Sequence, residues 1–75
     1  MDPKQVLEQN FDLTKRQLEV ALHLLGPDSL KEIAATLGIK KSGIQFHATS
    51  IYRKAKVKNR YQFMNRCNEL RRGQR

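Results

Sequence analysis

Residues 33–50 read IAATLGIKKSGIQFHATS, and this stretch decides the fold. Two helical patterns meet at Gly38. Before it, Ile33, Ala34 and Leu37 form an apolar stripe, and Ser29 and Glu32 stand at capping-box spacing. After it, a second segment starts near Lys40–Ser42 and runs to about Ala55. There Ile44, His47, Ile51 and Ala55 share one stripe, while Lys41, Gln45, Thr49 and Tyr52 lie opposite or at its edges. The open face carries lysines, Ser42, Gln45 and Thr49, and no acidic residue. A helix-turn-helix requires a small residue where the helices cross, a glycine free to take φ > 0 in the turn, apolar residues that knit the pair, and a polar outer face. Ala34, Gly38 and Ile44 meet the first three, with Ile33, Leu37 and Ile39 as core. Lys40, Lys41, Ser42, Gln45 and Thr49 meet the fourth. The start of the second segment is weak, because neither lysine is a good N-cap and Gly43 lowers helix propensity by up to about 1 kcal/mol. Packing must hold this helix in place.

Two further helices flank the pair. LTKRQ places Thr14 as an N-cap with Gln17 to close a capping box, and Leu13 and Leu18 at hydrophobic-staple positions. Leu18, Leu22 and Leu25 then line one face with Ala21 beside them, and GPD at 26–28 ends the helix. NRYQ at 59–62 opens the last helix, with Asn59 as cap and Gln62 completing a box. Phe63, Cys67 and Leu70 follow on one face, and Tyr61, Met64 and Asn68 form an adjoining strip. Residues 1–12 read as a polar arm, with a short helical turn through Val6–Leu7 and Phe11 docked on the body. Residues 72–75 read as a frayed basic tail. No segment alternates as a strand does. The expectation is an all-α, compact four-helix domain over residues 13–71 that contains a helix-turn-helix.

The chain has 75 residues, room for one domain with a thin core, so its surfaces are its working parts. It carries a net charge of +8 with a pI near 10.2. That charge is segregated: residues 1–38 sum to −2 and residues 39–75 to +10. Cations gathered in one half point to an anionic partner, nucleic acid foremost. Cys67 is the only cysteine, so no internal disulfide forms, which fits a reducing cytoplasm. No apolar run approaches the roughly 20 residues that span a bilayer, and residues 1–12 lack a signal-peptide core. There is no phosphate-cradling glycine loop and no nucleophile–base pair. The expectation is a protein that is not an enzyme, needs no cofactor and binds no metal.

Any packed helix pair can imitate the helix-turn-helix pattern; the wider sequence is more specific. LTKRQLEV (13–20), KEIAATLGI (31–39), His47 three residues after Ile44, IYRK (51–54) and VKNR (57–60) occur in this order at close spacing. Together they resemble the LuxR/FixJ-type helix-turn-helix domain of bacterial transcription regulators, across roughly residues 13–70. The region-4 domain of sigma factors is similar but matches less well. The LuxR/FixJ resemblance implies a four-helix domain whose third helix, here about 41–55, enters the DNA major groove and whose fourth makes a dimer contact. The chain departs from the family pattern at Leu30, Lys40, Ser42–Gly43 and Ala55–Lys56. Where the family often has Leu-Gly, Lys56 must take a left-handed conformation, or the turn differs.

On this basis Gln45 and Thr49, one turn apart, are candidates to read base edges: Gln can read adenine, and Thr can touch a thymine methyl. Phe46 has two readings, a base-facing one and one covering the core edge. Lys40, Lys41, Arg53, Lys54 and Lys58 flank the helix and are candidates for phosphate contacts. Ser42 either donates to a phosphate or caps the helix. His47 has no second ligand at metal spacing, and the resemblance implies a packed histidine that also reaches a phosphate. Cys67 belongs to the core or to a dimer seam. The expected partners are double-stranded DNA, a second copy joined weakly through Tyr61, Met64 and Asn68, and RNA polymerase or a partner regulator, with no membrane. The rival is a protein-interaction module that uses the same fold to bind another regulator. A free-standing regulator and the output half of a longer protein both fit.

Overall fold

The computed structural model describes residues 2–73, which form five α-helices and, among these residues, no strand: α1 (Pro3–Asn10), α2 (Lys15–Leu24), α3 (Leu30–Leu37), α4 (Lys41–Ala55) and α5 (Arg60–Gly73). The all-α architecture is as expected, with one helix more. The helical turn expected through Val6–Leu7 extends to a full helix, Pro3–Asn10, and with the docked Phe11 it supplies part of the core. The Asp2 carboxylate accepts the Gln5 N–H at 3.0 Å, and the Asp2 N–H donates to Gln5 Oε1 at 3.3 Å. Pro3 fills the first helical position, where its missing N–H has no intrahelical partner to lose. Val6 and Leu7 are fully buried, and Phe11 follows them into the core.

α2 and α3 begin as their capping boxes require. Gln17 N–H donates to Thr14 Oγ1 at 3.1 Å, and Thr14 N–H returns to Gln17 Oε1 at 3.0 Å. Ser29 N–H donates to Glu32 Oε1 at 2.8 Å, and Glu32 N–H to Ser29 Oγ at 3.2 Å. Hydrogen bonding by Ser29, its backbone N–H first, holds the Glu32 pKa below its ordinary value. The inward face of α2 differs from the expected leucine stripe. Gln17, Val20, Ala21 and Leu24 are buried, while Leu18, Leu22 and Leu25 pack only half-buried at the margin. α2 has neighbours in α1, α3 and α4. Its enclosed line is Gln17, Val20, Ala21 and Leu24, and the other leucines fill the edges.

On α4 the buried stripe is Ile44, Ala48, Ile51 and Ala55. His47 sits at the flank, half-buried, and Ala48 takes the inward place beside it. α4 packs chiefly on α2 and α3, so it crosses the rest of the domain with its opposite face in water. On α5, Phe63 and Cys67 face inward as expected, and Leu70 is half-buried. Phe63 is the hub, with its ring 6.1 Å from Phe11 and 6.0 Å from Tyr52. Burial pushes the Cys67 thiol up to about 11, so it is a protonated core group at neutral pH. The cap of α5 differs from a complete box. Gln62 N–H donates to Asn59 Oδ1 at 2.9 Å, but Gln62 Oε1 accepts from Lys58 N–H at 2.8 Å rather than from Asn59 N–H. α5 continues through Gly73, so residues 72–73 are helical, and the rest of the expected tail lies outside the described residues.

Candidate nucleic-acid interface

The turn between α3 and α4 is closed by backbone bonds alone. Ile39 N–H reaches the Ala34 carbonyl at 3.0 Å and Gly38 N–H the Ala35 carbonyl at 3.3 Å, the two bonds of a Schellman motif. Gly38 is left-handed at φ 69°, and a Cβ there would meet nothing within 4 Å, so the dihedral rather than space requires glycine. The same motif closes α4, where Val57 N–H donates to the Tyr52 carbonyl at 2.9 Å and Lys56 N–H to the Arg53 carbonyl at 3.1 Å. Here the left-handed residue is Lys56, φ 60° and ψ 42°. Backbone bonds thus close the end of α3 before α4 and the end of α4 itself.

The start of α4 is unlike that of the other helices. Asp2, Thr14, Ser29 and Asn59 each cap a helix through a side chain. Lys40 has the extended backbone of an N-cap, φ −73° and ψ 156°, but no side-chain cap bond, and the first turn holds no acid. Lys40 and Lys41 are exposed at the positive pole of the helix dipole. The arrangement is unfavourable for the isolated helix. It suits an anion, because the first-turn backbone N–H groups lack a side-chain cap and two exposed lysines stand at the same end.

Along α4, Ser42, Phe46, Thr49 and Arg53 follow at i, i+4, i+7 and i+11 and are all exposed, with Gln45 exposed alongside. Phe46 is 69 % exposed, so it does not cover the core edge. Its ring meets His47 edge-on at 5.9 Å. Thr49 and Arg53 open into a shallow groove of about 550 Å³ shared with Lys58 at the start of the next element. Ser42 lies in the outer stripe and makes no cap bond to α4.

Among the described residues the only ion pair is Arg16–Glu19, at 3.3 Å on the exposed side of α2. Lys40, Lys41, Arg53 and Lys58 therefore have no carboxylate partner. Lys54 is placed differently. Its Nζ donates to the Asp12 carbonyl at 2.6 Å and to Gln17 Oε1 at 2.7 Å, which ties the end of α4 to the start of α2. A phosphate would find at most one of its three N–H donors uncommitted.

Along the strip expected on α5, Tyr61 is 73 % exposed and Asn68 is exposed. Met64 is half-buried and lines a groove with Pro3, Val6, Leu25, Cys67 and Asn68. Periodicity alone missed Arg60. Its Nε donates to the Leu24 carbonyl at 2.9 Å, and one terminal nitrogen donates to the Gly26 carbonyl at 2.8 Å and the His23 carbonyl at 3.4 Å. A guanidinium thus satisfies the carbonyl end of α2 from the first turn of α5. No sequence signal separated Arg60 from the surface arginines around it.

Among the described residues no group of three or more His, Cys, Asp or Glu could hold a metal, and no helix is long and apolar enough to cross a membrane. Fold and surface together define a helix-turn-helix domain with an acid-free face on its second motif helix. The family model described as bacterial regulatory proteins, luxR family, matches residues 12–66. The chain belongs to that family, whose members are DNA-binding transcription regulators. No curated protein matches the chain, and no solved structure does.

Proposed function

We propose that this domain binds double-stranded DNA sequence-specifically as part of a transcription regulator, with α4 lying in the major groove. The observation that carries the proposal is the exposed face of α4. It is free of acids, has a positive pole without a side-chain cap, and is flanked by four cations that have no carboxylate partner among the described residues. Lys40 and Lys41 at one end, and Arg53 and Lys58 at the other, contact phosphates and set the register. Ser42 and His47 lie near enough to the first cluster to add neutral or weakly basic donors. Between the two clusters Gln45, Phe46 and Thr49 face the base edges. Two copies meet on a palindromic site through the outer face of α5, around Tyr61 and Asn68, and the polarity of that face keeps the free protein monomeric.

A mobility-shift titration at two salt concentrations tests this. Four phosphate contacts correspond to a slope of log K against log salt of about −3.6, or roughly a hundredfold loss of affinity from 50 to 200 mM salt. Salt-independent binding, or no binding to any duplex in a random pool, would refute the proposal. Capture of a partner regulator with no DNA binding would support the interaction module instead.

A further inference from the structure

We infer that the DNA site this domain prefers is read at its centre through thymine methyl groups, with Phe46 as the main contact. The inference rests on the placement of α4 in the major groove. Residues 42–52 contain no Arg or Lys. The fork that reads guanine O6 and N7 is therefore missing from the middle of the exposed face, and cations stand only at its ends. What the middle offers is a phenyl ring, a threonine with its own methyl, and the Gln45 amide.

Phe46 occupies the centre of the outward stripe and is 69 % exposed. Among the described residues its one aromatic neighbour is His47, whose ring it meets at 65°, and most of the phenyl stays open. In the major groove, the apolar feature that a base presents there is the thymine C5-methyl. A phenyl ring in the groove must meet such a methyl or stay poorly solvated against polar base edges. Thr49 lies less than one turn further along the same face and presents a second methyl. Gln45, one residue from Phe46, suits the adenine on the opposite strand, with N6 and N7 in reach of its amide. All three side chains thus select A·T pairs, and none selects G·C.

The test separates methyl contact from DNA binding as such. Sites are selected from a random-sequence duplex pool, and each thymine of the bound core is then replaced in turn by deoxyuridine, which removes the methyl and changes nothing else on the pair. For the parent protein, deoxyuridine at one or two core positions should lower affinity about fourfold each, the equivalent of ~0.8 kcal/mol for one buried methyl-sized group. Phe46→Ala should keep salt-dependent binding to random duplex and become indifferent to deoxyuridine at its position. Phe46→Leu should retain part of the dependence. Restoring the methyl to a G·C variant of that pair with 5-methylcytosine, on the strand that held thymine, should recover part of the lost affinity. A selected core of G·C pairs, no effect of deoxyuridine on the parent, or an equal effect on parent and Phe46→Ala would each overturn the inference while leaving DNA binding intact. Absence of salt-dependent binding to any duplex would sink the underlying placement of α4 as well.

Discussion

Replacing Lys40 with serine should stabilise the domain and weaken its hold on DNA. Lys40 already has the extended backbone of an N-cap, so no rearrangement is needed for a serine hydroxyl to accept the N–H of Gly43. A new side-chain cap contributes about 1 kcal/mol. Removing a cation from the positive pole of α4 adds roughly 0.3–1 kcal/mol at low ionic strength. Together these amount to about 1.5 kcal/mol, a rise in Tm of roughly 6–12 °C for a domain of this size. The same change removes one proposed phosphate contact, so the salt slope should become shallower by about 0.9. Thermal unfolding followed by circular dichroism gives the first quantity, and mobility shifts at several salt concentrations give the second. An unchanged or lower Tm would mean that the start of α4 is not the weak point of the fold. A higher Tm with an unchanged salt slope would remove Lys40 from the phosphate contacts and leave its choice over a capping residue without a cause.

Four other perturbations follow from the same geometry. Arg60→Ala should destabilise the domain by about 2 kcal/mol, because it removes charge-assisted bonds to the carbonyl end of α2; denaturant unfolding should also show that Arg60→Lys, which lacks the fork, recovers only part of this. Lys56→Gly should stabilise by about 1 kcal/mol by relieving the left-handed conformation, and a loss in chemical unfolding would mean that the lysine side chain itself holds the turn. The bonds to Ser29 hold the Glu32 pKa below its ordinary value, so across the carboxylate range the native state binds fewer protons than the unfolded chain. Its contribution is present above the unfolded pKa and is lost as pH falls through the folded one. Glu32→Gln keeps the acceptor and should flatten the acid limb of a stability-versus-pH curve. Tyr61→Asp should abolish two-to-one cooperativity on a palindrome in analytical ultracentrifugation and leave single half-site binding intact, whereas equal cooperativity would place the seam elsewhere.

Local chemistry was legible in the sequence wherever it acts over a few residues. Thr14–Gln17, Ser29–Glu32 and Gly38 marked helix ends that the backbone bonds reproduce. The inward places of Ile44, Ile51, Phe63 and Cys67 followed from their spacing. Asp2, Pro3 and Gln5 carried the same kind of signal for α1, but two buried residues in a polar stretch gave too little periodicity to outweigh its composition. The α2 face was misread because three leucines at helical spacing outweigh Val20 and Ala21 on a hydrophobicity count. Which line of a helix with three neighbours is enclosed, here Gln17, Val20, Ala21 and Leu24, is set by how those neighbours pack. The bridges of Lys54 to Asp12 and Gln17, and of Arg60 to the end of α2, join residues 34 to 42 positions apart. No local pattern announces such contacts, so the sequence offered Lys54 only as a phosphate candidate and gave Arg60 no role. For the candidate site, the sequence showed which residues α4 exposes but left Phe46 open. Only the three-dimensional placement puts its ring on the outer stripe.

The measurement closest to the central claim is an NMR titration of the isotope-labelled domain with a duplex obtained by site selection. The account predicts that the largest amide shifts fall on residues 40–53. Intermolecular contacts from the Phe46 ring and the Gln45 and Thr49 side chains should reach major-groove protons, and the exposed face of α1 should stay unperturbed. Shifts centred on α1 or on the outer face of α5, with α4 unaffected, would contradict it.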